Sequence, residues 1–286
     1  MRKRTRQWLA RSFWTACAAL TFVIAFGLSS ACADGNASTQ GGGKAEMATP
    51  QEGDPEAMLV LLGMAEFLAR TPSFGVTIRS GYDAIQADGQ RIEFGEKRRI
   101  TLRRPDRVRV DVERSDGDRG LLLYDGMTLT AFKPGDNIFA QVDKNGTVDD
   151  VLVYMVKDLG LTLPLARMFH SGFRQSLEKM TTSASFVEEN FLFDVPTDHL
   201  TSRSQNVDLQ IWIAQGEQPL PRRAVITYKS EPGQPQFWAE LSDWDFSTGS
   251  AGESFAFTPP AGAEKVPLLA PGRRMGSLPE QKGGAQ

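Results

Sequence analysis

From Phe74 to Phe246 apolar side chains return at every second position in run after run, each run closed by turn residues. A period of two sends alternate side chains to opposite faces, so these runs read as strands of an antiparallel sheet with one apolar side. Phe74, Val76 and Ile78 share a face; Ala87-Asp88-Gly89-Gln90 turns the chain; Ile92, Phe94, Ile100 and Leu102 bring it back, with Gly95 placed as a bulge. Val108, Val110 and Val112 alternate with Arg107, Arg109, Asp111 and Glu113. Leu121 to Tyr124 and Met127 to Phe132 flank Asp125-Gly126, a strong hairpin signal. Pro134-Gly135-Asp136 turns into Ile138 to Val142, and strands resume at 183–189, 192–203, 207–214, 222–230 and 236–246. That makes about eleven strands, nearly all in sequential hairpins.

Two helical pieces break the pattern. Asp54-Pro55-Glu56 supplies an N-cap acid, a proline at the first helical position and an acid in the first turn, so a helix runs from there to about Ala69, ahead of Thr71-Pro72. Val60, Leu61, Met64, Phe67 and Leu68 make it apolar over most of its girth, which demands a large cover. In mid-chain, Thr147 caps a helix over 148–159, and 164–180 reads as one or two short helices broken near Ser171-Gly172. A long meander must curl to hide its apolar face, and helices are its natural plugs. The expected architecture is mainly β with helices: a half-open antiparallel barrel whose concave face is covered by the N-terminal helix and the helical insert.

Ahead of this body lies an export signal. Arg2, Lys3, Arg4, Arg6 and Arg11 precede an uncharged stretch from Ser12 to Ala33 with an apolar centre at 16–28. Two endings compete: Ala31-Cys32-Ala33 as an A-x-A cleavage site, and Leu28-Ser29-Ser30-Ala31-Cys32 as a relaxed lipobox in which Cys32 is acylated. An uncleaved membrane span is a third reading. Residues 34–53 are rich in Gly, Ser, Thr and Gln, a composition that cannot bury a core and behaves as a tether, and a tether makes most physical sense behind an anchor. The organisation is thus a signal segment at 1–33, a linker at 34–53, one β domain at 54–266 and a loose Pro/Gly-rich tail at 267–286.

Composition narrows the function. Without residues 1–33 the chain loses five of its 32 basic residues and none of its 35 acidic ones, leaving a net charge of −8, the wrong sign for nucleic acid. Both cysteines, Cys17 and Cys32, fall in the signal segment, so the β domain has no disulfide and no metal or redox cysteine site. The two histidines are His170 and His199. Asp194, Asp198 and His199 are near in sequence, but Asp198 and His199 are neighbours on a strand and point to opposite faces. Glu188-Glu189 and Asp149-Asp150 read as solvated surface pairs. No nucleophile elbow, zincin helix, P-loop or dinucleotide glycine set is present, and the chain is read as non-catalytic, without cofactor.

Two segments carry a family resemblance. Leu102-Arg103-Arg104-Pro105-Asp106-Arg107-Val108-Arg109-Val110 and Tyr124-Asp125-Gly126-Met127-Thr128-Leu129-Thr130-Ala131-Phe132 resemble the paired strand and hairpin motifs of the outer-membrane lipoprotein carrier superfamily. Over about residues 54–268 the chain more closely resembles an uncharacterised bacterial secreted family, through Asp198-His199-Leu200, 208–213, 219–227 and 257–263. The resemblance implies a periplasmic protein, membrane-anchored if Cys32 is acylated, whose apolar hollow takes a lipid, an acyl chain or an acylated protein. It also implies that Arg104, just before the proline of the strand motif, holds a helical lid closed through bonds to lid backbone. Met127 and Ala131 depart from the carrier hairpin, where Lys and an aromatic are usual. By alternation, the hollow is expected to be lined by Val76, Ile78, Phe94, Val110, Leu129, Leu209, Ile211 and Ile226. Trp212, Phe237, Trp238, Trp244 and Phe246 are expected in core packing. A monomer is expected, and the alternative function is an envelope regulatory or protein-interaction module of the same fold with no carried ligand. Growth with a clickable palmitate should label the chain and leave a Cys32→Ala chain dark; equal labelling of the two would remove the anchor.

Overall fold

The computed structural model describes residues 53–161, 163–247 and 255–268. The signal segment, Cys32, nearly all of the 34–53 linker and most of the tail lie outside the described residues. In chain order the elements are α1 (Pro55–Arg70), β1 (Ser73–Ile85), β2 (Arg91–Arg103), β3 (Arg107–Arg114), β4 (Arg119–Tyr124), β5 (Thr128–Lys133), β6 (Ile138–Asp143), α2 (Val148–Lys157), a 3-10 turn (Ala166–Phe169), α3 (Phe173–Met180), β7 (Ser183–Leu192), β8 (Val195–Arg203), β9 (Val207–Ala214), β10 (Pro221–Tyr228), β11 (Gln236–Asp245) and β12 (Glu264–Lys265).

All strands join one twelve-stranded sheet in the order β12-β6-β5-β4-β3-β2-β1-β11-β10-β9-β8-β7. Every pairing is antiparallel except the short β12–β6 ladder. One meander runs outward from β1 to β6, the other runs inward from β7 to β11, and they meet where β1 pairs with β11. β6 and β7 therefore lie at opposite sides of the sheet, and the chain between them has to cross its apolar face. That crossing carries α2, the 3-10 turn and α3. The sheet is curled and open, with the helices on its concave side. β12 brings the strands to twelve rather than about eleven.

Each element has a local cause. Asp54 accepts from the Glu56 backbone N–H at 2.9 Å to cap α1, with Pro55 behind it, and α1 stops at Thr71-Pro72. Thr147 and Asp150 form a reciprocal capping box at the start of α2, and hydrogen bonds from Thr147 hold the Asp150 carboxyl below its ordinary pKa. At the β4–β5 hairpin Gly126 takes φ +87° and abuts Asp106, while the Asp125 carboxylate accepts from the backbone of Met127 (3.0 Å) and Thr128 (2.7 Å). Gly95, expected at a bulge, instead sits in regular register opposite Gly81; the indole of Trp238 packs so close over Gly81 that a side chain there would collide with it. The register shifts occur between Gly75 and Thr77, between Phe186 and Glu188, and between Pro221 and Arg223.

Register sorts the concave side chains of the first meander into three rows across the strands. The first, Phe74, Leu102, Val108, Tyr124 and Leu129, is fully buried against the helices. The second is Val76, Ile100, Val110, Leu122 and Ala131. The third begins Ile78, Arg98, Val112 and Gly120, and turns polar as it leaves the helical cover. α1 buries Leu61, Met64, Ala65 and Leu68, packing on α3 and β7. No described helix is long and apolar enough to cross a membrane.

Candidate lipid cavity

α2 lies over the sheet on one stripe, Val148, Leu152 and Met155, at the i, i+4, i+7 spacing of a single helical face. Between that stripe and the second and third rows the packing is incomplete, leaving a cavity of about 200 Å³. Its walls are Ile100, Val110, Leu122 and Ala131 from the sheet, Leu152 and Met155 from α2, and Leu161, Leu165 and Phe169 from the segment that follows. A water's share of liquid volume is about 30 Å³, so the space suits a chain of roughly seven or eight methylene-sized groups. A hollow lined this way offers a water few partners and a hydrocarbon many.

The mouth is ionic. Arg98, Arg114 and Lys133 reach its rim, where Arg98 pairs with Glu96, Arg114 with Asp118 at 3.0 Å, and Lys133 with Asp118 at 3.6 Å and Asp136 at 2.7 Å. Arg98 and Arg114 stay partly exposed, whereas Lys133 is buried and held by its two carboxylate partners, and the row behind them stays apolar.

Arg104 lies outside the lining, where the helical elements meet the β2–β3 connection. Its Nη2 donates to the Phe169 carbonyl at 2.9 Å and the Leu68 carbonyl at 3.4 Å, and its Nε to the Thr71 carbonyl at 3.3 Å. Asp149, in the first turn of α2, stands 3.9 Å from Nη1. One guanidinium thus ties the end of α1, the 3-10 turn and the start of α2 to the β2–β3 connection, which passes through a cis Arg104–Pro105 peptide. The carbonyls it meets at α1 are among those a helix end leaves unpaired, and a cation there also suits the helix dipole. Burial lowers the Arg104 pKa, partly opposed by Asp149. Asp149 is no idle surface charge: its carboxylate also accepts from the Ser171 backbone at 3.0 Å, so it tacks the insert to itself.

The expected lining residues separate. Ile78 and Val110 face the cavity. Val76, Leu129 and Ile211 are spent in the closed core, and Leu209 and Ile226 are half-buried against that core in the other meander. Phe94 is 43% exposed, because it lies on the concave face beyond the helices, stacked on Tyr82. Of the aromatics, Phe237 reaches the cavity and Trp244 and Phe246 pack with Phe74 and Phe67. Trp212 and Trp238 lie on the convex face on either side of Arg223. His199 stacks on Trp212 at 3.9 Å, while Asp198 accepts from Gln215 on the other side, so the two do not converge. His170 and Asp149 come within 3.9 Å, and the His170 Nδ1 accepts from Gly172. Among the described residues no cluster of His, Cys, Asp or Glu is fit to hold a metal. The α2 stripe and the rim pairs went unmarked in the sequence; the spacing of 148, 152 and 155 was the available signal.

A family model for DUF2092, described as a predicted periplasmic protein, matches residues 57–269. The chain belongs to this family. The match begins in the first turn of α1 and spans every described element after it, including the walls and mouth of the cavity. No curated protein is similar to the chain in sequence. Among solved structures, the lipoprotein LppX of Mycobacterium tuberculosis is 14% identical, with 67% of this chain and 96% of that one covered and a TM-score of 0.42. LprF of Mycobacterium bovis is 11% identical, with 74% and 99% covered and a TM-score of 0.43. A LolA superfamily protein of Nitrosomonas europaea is 11% identical, with 66% and 92% covered and a TM-score of 0.29. These are distant likenesses of backbone.

Replacing Arg104 with Leu strips three carbonyls of a charged donor and leaves Asp149 without its cation. The variant should lose about 2–3 kcal/mol in urea unfolding and show faster amide exchange over α2 and 166–169 than elsewhere. Exchange that rises evenly over the whole sheet would show that Arg104 does not act on the helices.

Proposed function

We propose that this protein binds, without chemistry, the hydrocarbon chain of a lipid or of an acylated protein in the cavity beneath α2, and that it does so in the bacterial envelope. The observation that carries the reading is the cavity itself: an apolar hollow between α2 and the second and third rows of a sheet whose first row is closed, with charge at its mouth. Transfer of a methylene from water is worth about 0.8 kcal/mol, so eight of them contribute about 6 kcal/mol before the cost of ordering the chain. That is ample for reversible loading and short of permanent capture.

Arg104 is the lid lock in this reading. Its hydrogen bonds join the end of α1 to the 3-10 turn and its ion pair with Asp149 reaches the start of α2, so the elements that roof the cavity are tied at one edge, and entry of a long chain requires the insert to lift. The family's description as periplasmic supports the compartment, as does the cationic, apolar leader. Acylation of Cys32 would keep the domain on a membrane through the Gly/Ser/Thr/Gln-rich residues that follow it, and a monomer suffices for such a task.

Native mass spectrometry of the chain recovered from bacterial envelopes should show an acyl-bearing adduct, and the emptied protein should take up a fluorescent fatty acid. Ala131→Trp, which fills the cavity from its floor, should cut uptake at least tenfold, while Arg104→Leu should speed it. An adduct-free protein that takes up no probe, or a filled variant that loads as well as the parent, would overturn the proposal.

A further inference from the structure

The hairpin joining β7 to β8 carries an arrangement that folding alone does not explain. Leu192 pairs with Val195, so the loop is the two residues Phe193 and Asp194, and both have positive φ, 51° and 62°. A two-residue loop of that kind favours Asn-Gly or Asp-Gly, and a phenylalanine at its first position is strained. The strained side chain is also wet: Phe193 is 65% exposed, Phe191 77% and Val187 52%. Leu192 and Val195 are half-buried and Pro196 is exposed, so the whole tip is apolar apart from Asp194. Neighbouring exposed apolar residues at a projecting tip, held there at a cost in backbone strain, point to a surface that is covered when the protein works.

Charge and chain path select the cover. From Met180 to Ser202 there is no Lys or Arg, and Glu188, Glu189, Asp194 and Asp198 make the hairpin acidic. Pairing of the exposed β7 edge with that of a second copy would bring two sets of Glu188 and Glu189 together, which disfavours self-association. An anionic surface is disfavoured for the same reason. The chain preceding the domain joins it beside this hairpin: Asp54 donates its backbone N–H to Ala184 at 2.7 Å, at the start of β7. The apolar leader and Cys32 lie upstream along residues 33–53, a segment able to span up to about 70 Å, while β7 from Ala184 to the tip covers about 30 Å. Where Cys32 is acylated or the leader is retained in a membrane, that membrane is within reach of the tip.

We propose that the β7–β8 tip seats Phe191 and Phe193 in the headgroup region of a bilayer whose surface is electrically neutral, as a second, weak membrane contact beside the Cys32 anchor. Two modest contacts in series hold a protein where one does not, and each can let go. The cavity opens on the other meander, so the hairpin is a separate device from the lipid site.

The test is flotation of the exported chain, in the native and Cys32→Ala forms, with vesicles of phosphatidylcholine alone and with phosphatidylglycerol added. The Cys32→Ala chain should float with phosphatidylcholine vesicles and less with the anionic mixture. Phe191→Ser with Phe193→Asn should reduce vesicle-bound protein about tenfold; Asn suits positive φ, so the unfolding temperature should hold or rise, which separates lost contact from lost fold. Fatty-acid uptake by the same variant should be unchanged, whereas failed uptake with intact flotation would count against the cavity reading alone. Equal flotation of variant and parent, stronger binding to the anionic vesicles, no flotation of either form, or self-association abolished by the variant would overturn the proposal.

Discussion

The constraint on which this structure depends is topological. Two meanders join at β1 and β11, which leaves β6 and β7 at opposite sides of one sheet. The connection between them must traverse the apolar concave face, and a buried connection has to satisfy its own backbone hydrogen bonds. Helix does that internally, so α2, the 3-10 turn and α3 lie where a loop would leave unpaired polar groups. The same crossing supplies the lid: an element that must exist for the chain to close becomes the roof of the hollow.

Why a hollow at all follows from geometry. A twisted, curled sheet and a straight helix are not complementary along their whole length, and the first row of side chains already meets the helices. Beneath α2 the second row falls away, with Ala131 and the half-buried Val110 and Leu122 where larger side chains would close the gap. Empty apolar volume lowers stability relative to a filled core. Arg104 offsets part of that cost by gathering carbonyls from two helical ends onto a single charged donor. The helical insert is thus held at its edge by polar contacts and rests on an incompletely filled interior, which suits the lid role proposed for it.

Much of this was legible in the residues. Asp54-Pro55 fixed the start of α1, Thr147 that of α2, and Asp125-Gly126 the β4–β5 hairpin, because caps and tight turns are local chemistry. Arg104 was marked by the resemblance of its motif, and its carbonyl partners by the structure alone. The strand bounds 183–189 and 192–203 leave 190–191 for the β7–β8 turn, which instead falls at Phe193-Asp194, since the register shift at Phe186–Glu188 breaks the alternation and Phe193 is not a turn residue by composition. The lining was half-read for a related reason. Alternation identifies which residues point inward, but only the position of the helices decides which inward residues are packed and which face space, and that is why Ile78 and Val110 reach the cavity while Val76, Leu129 and Ile211 do not.

The reading of this DUF2092 member as a lipid binder turns on what occupies the space under α2. A crystal of the protein soaked with a long fatty acid brominated near its methyl end gives the most direct answer. The account predicts an anomalous bromine peak among Leu122, Ala131, Leu152 and Met155, with the carboxylate toward Arg98 and Lys133. Bromine found only on the outer surface, or a soaked crystal in which α2 has settled onto the sheet and no space remains, would contradict it.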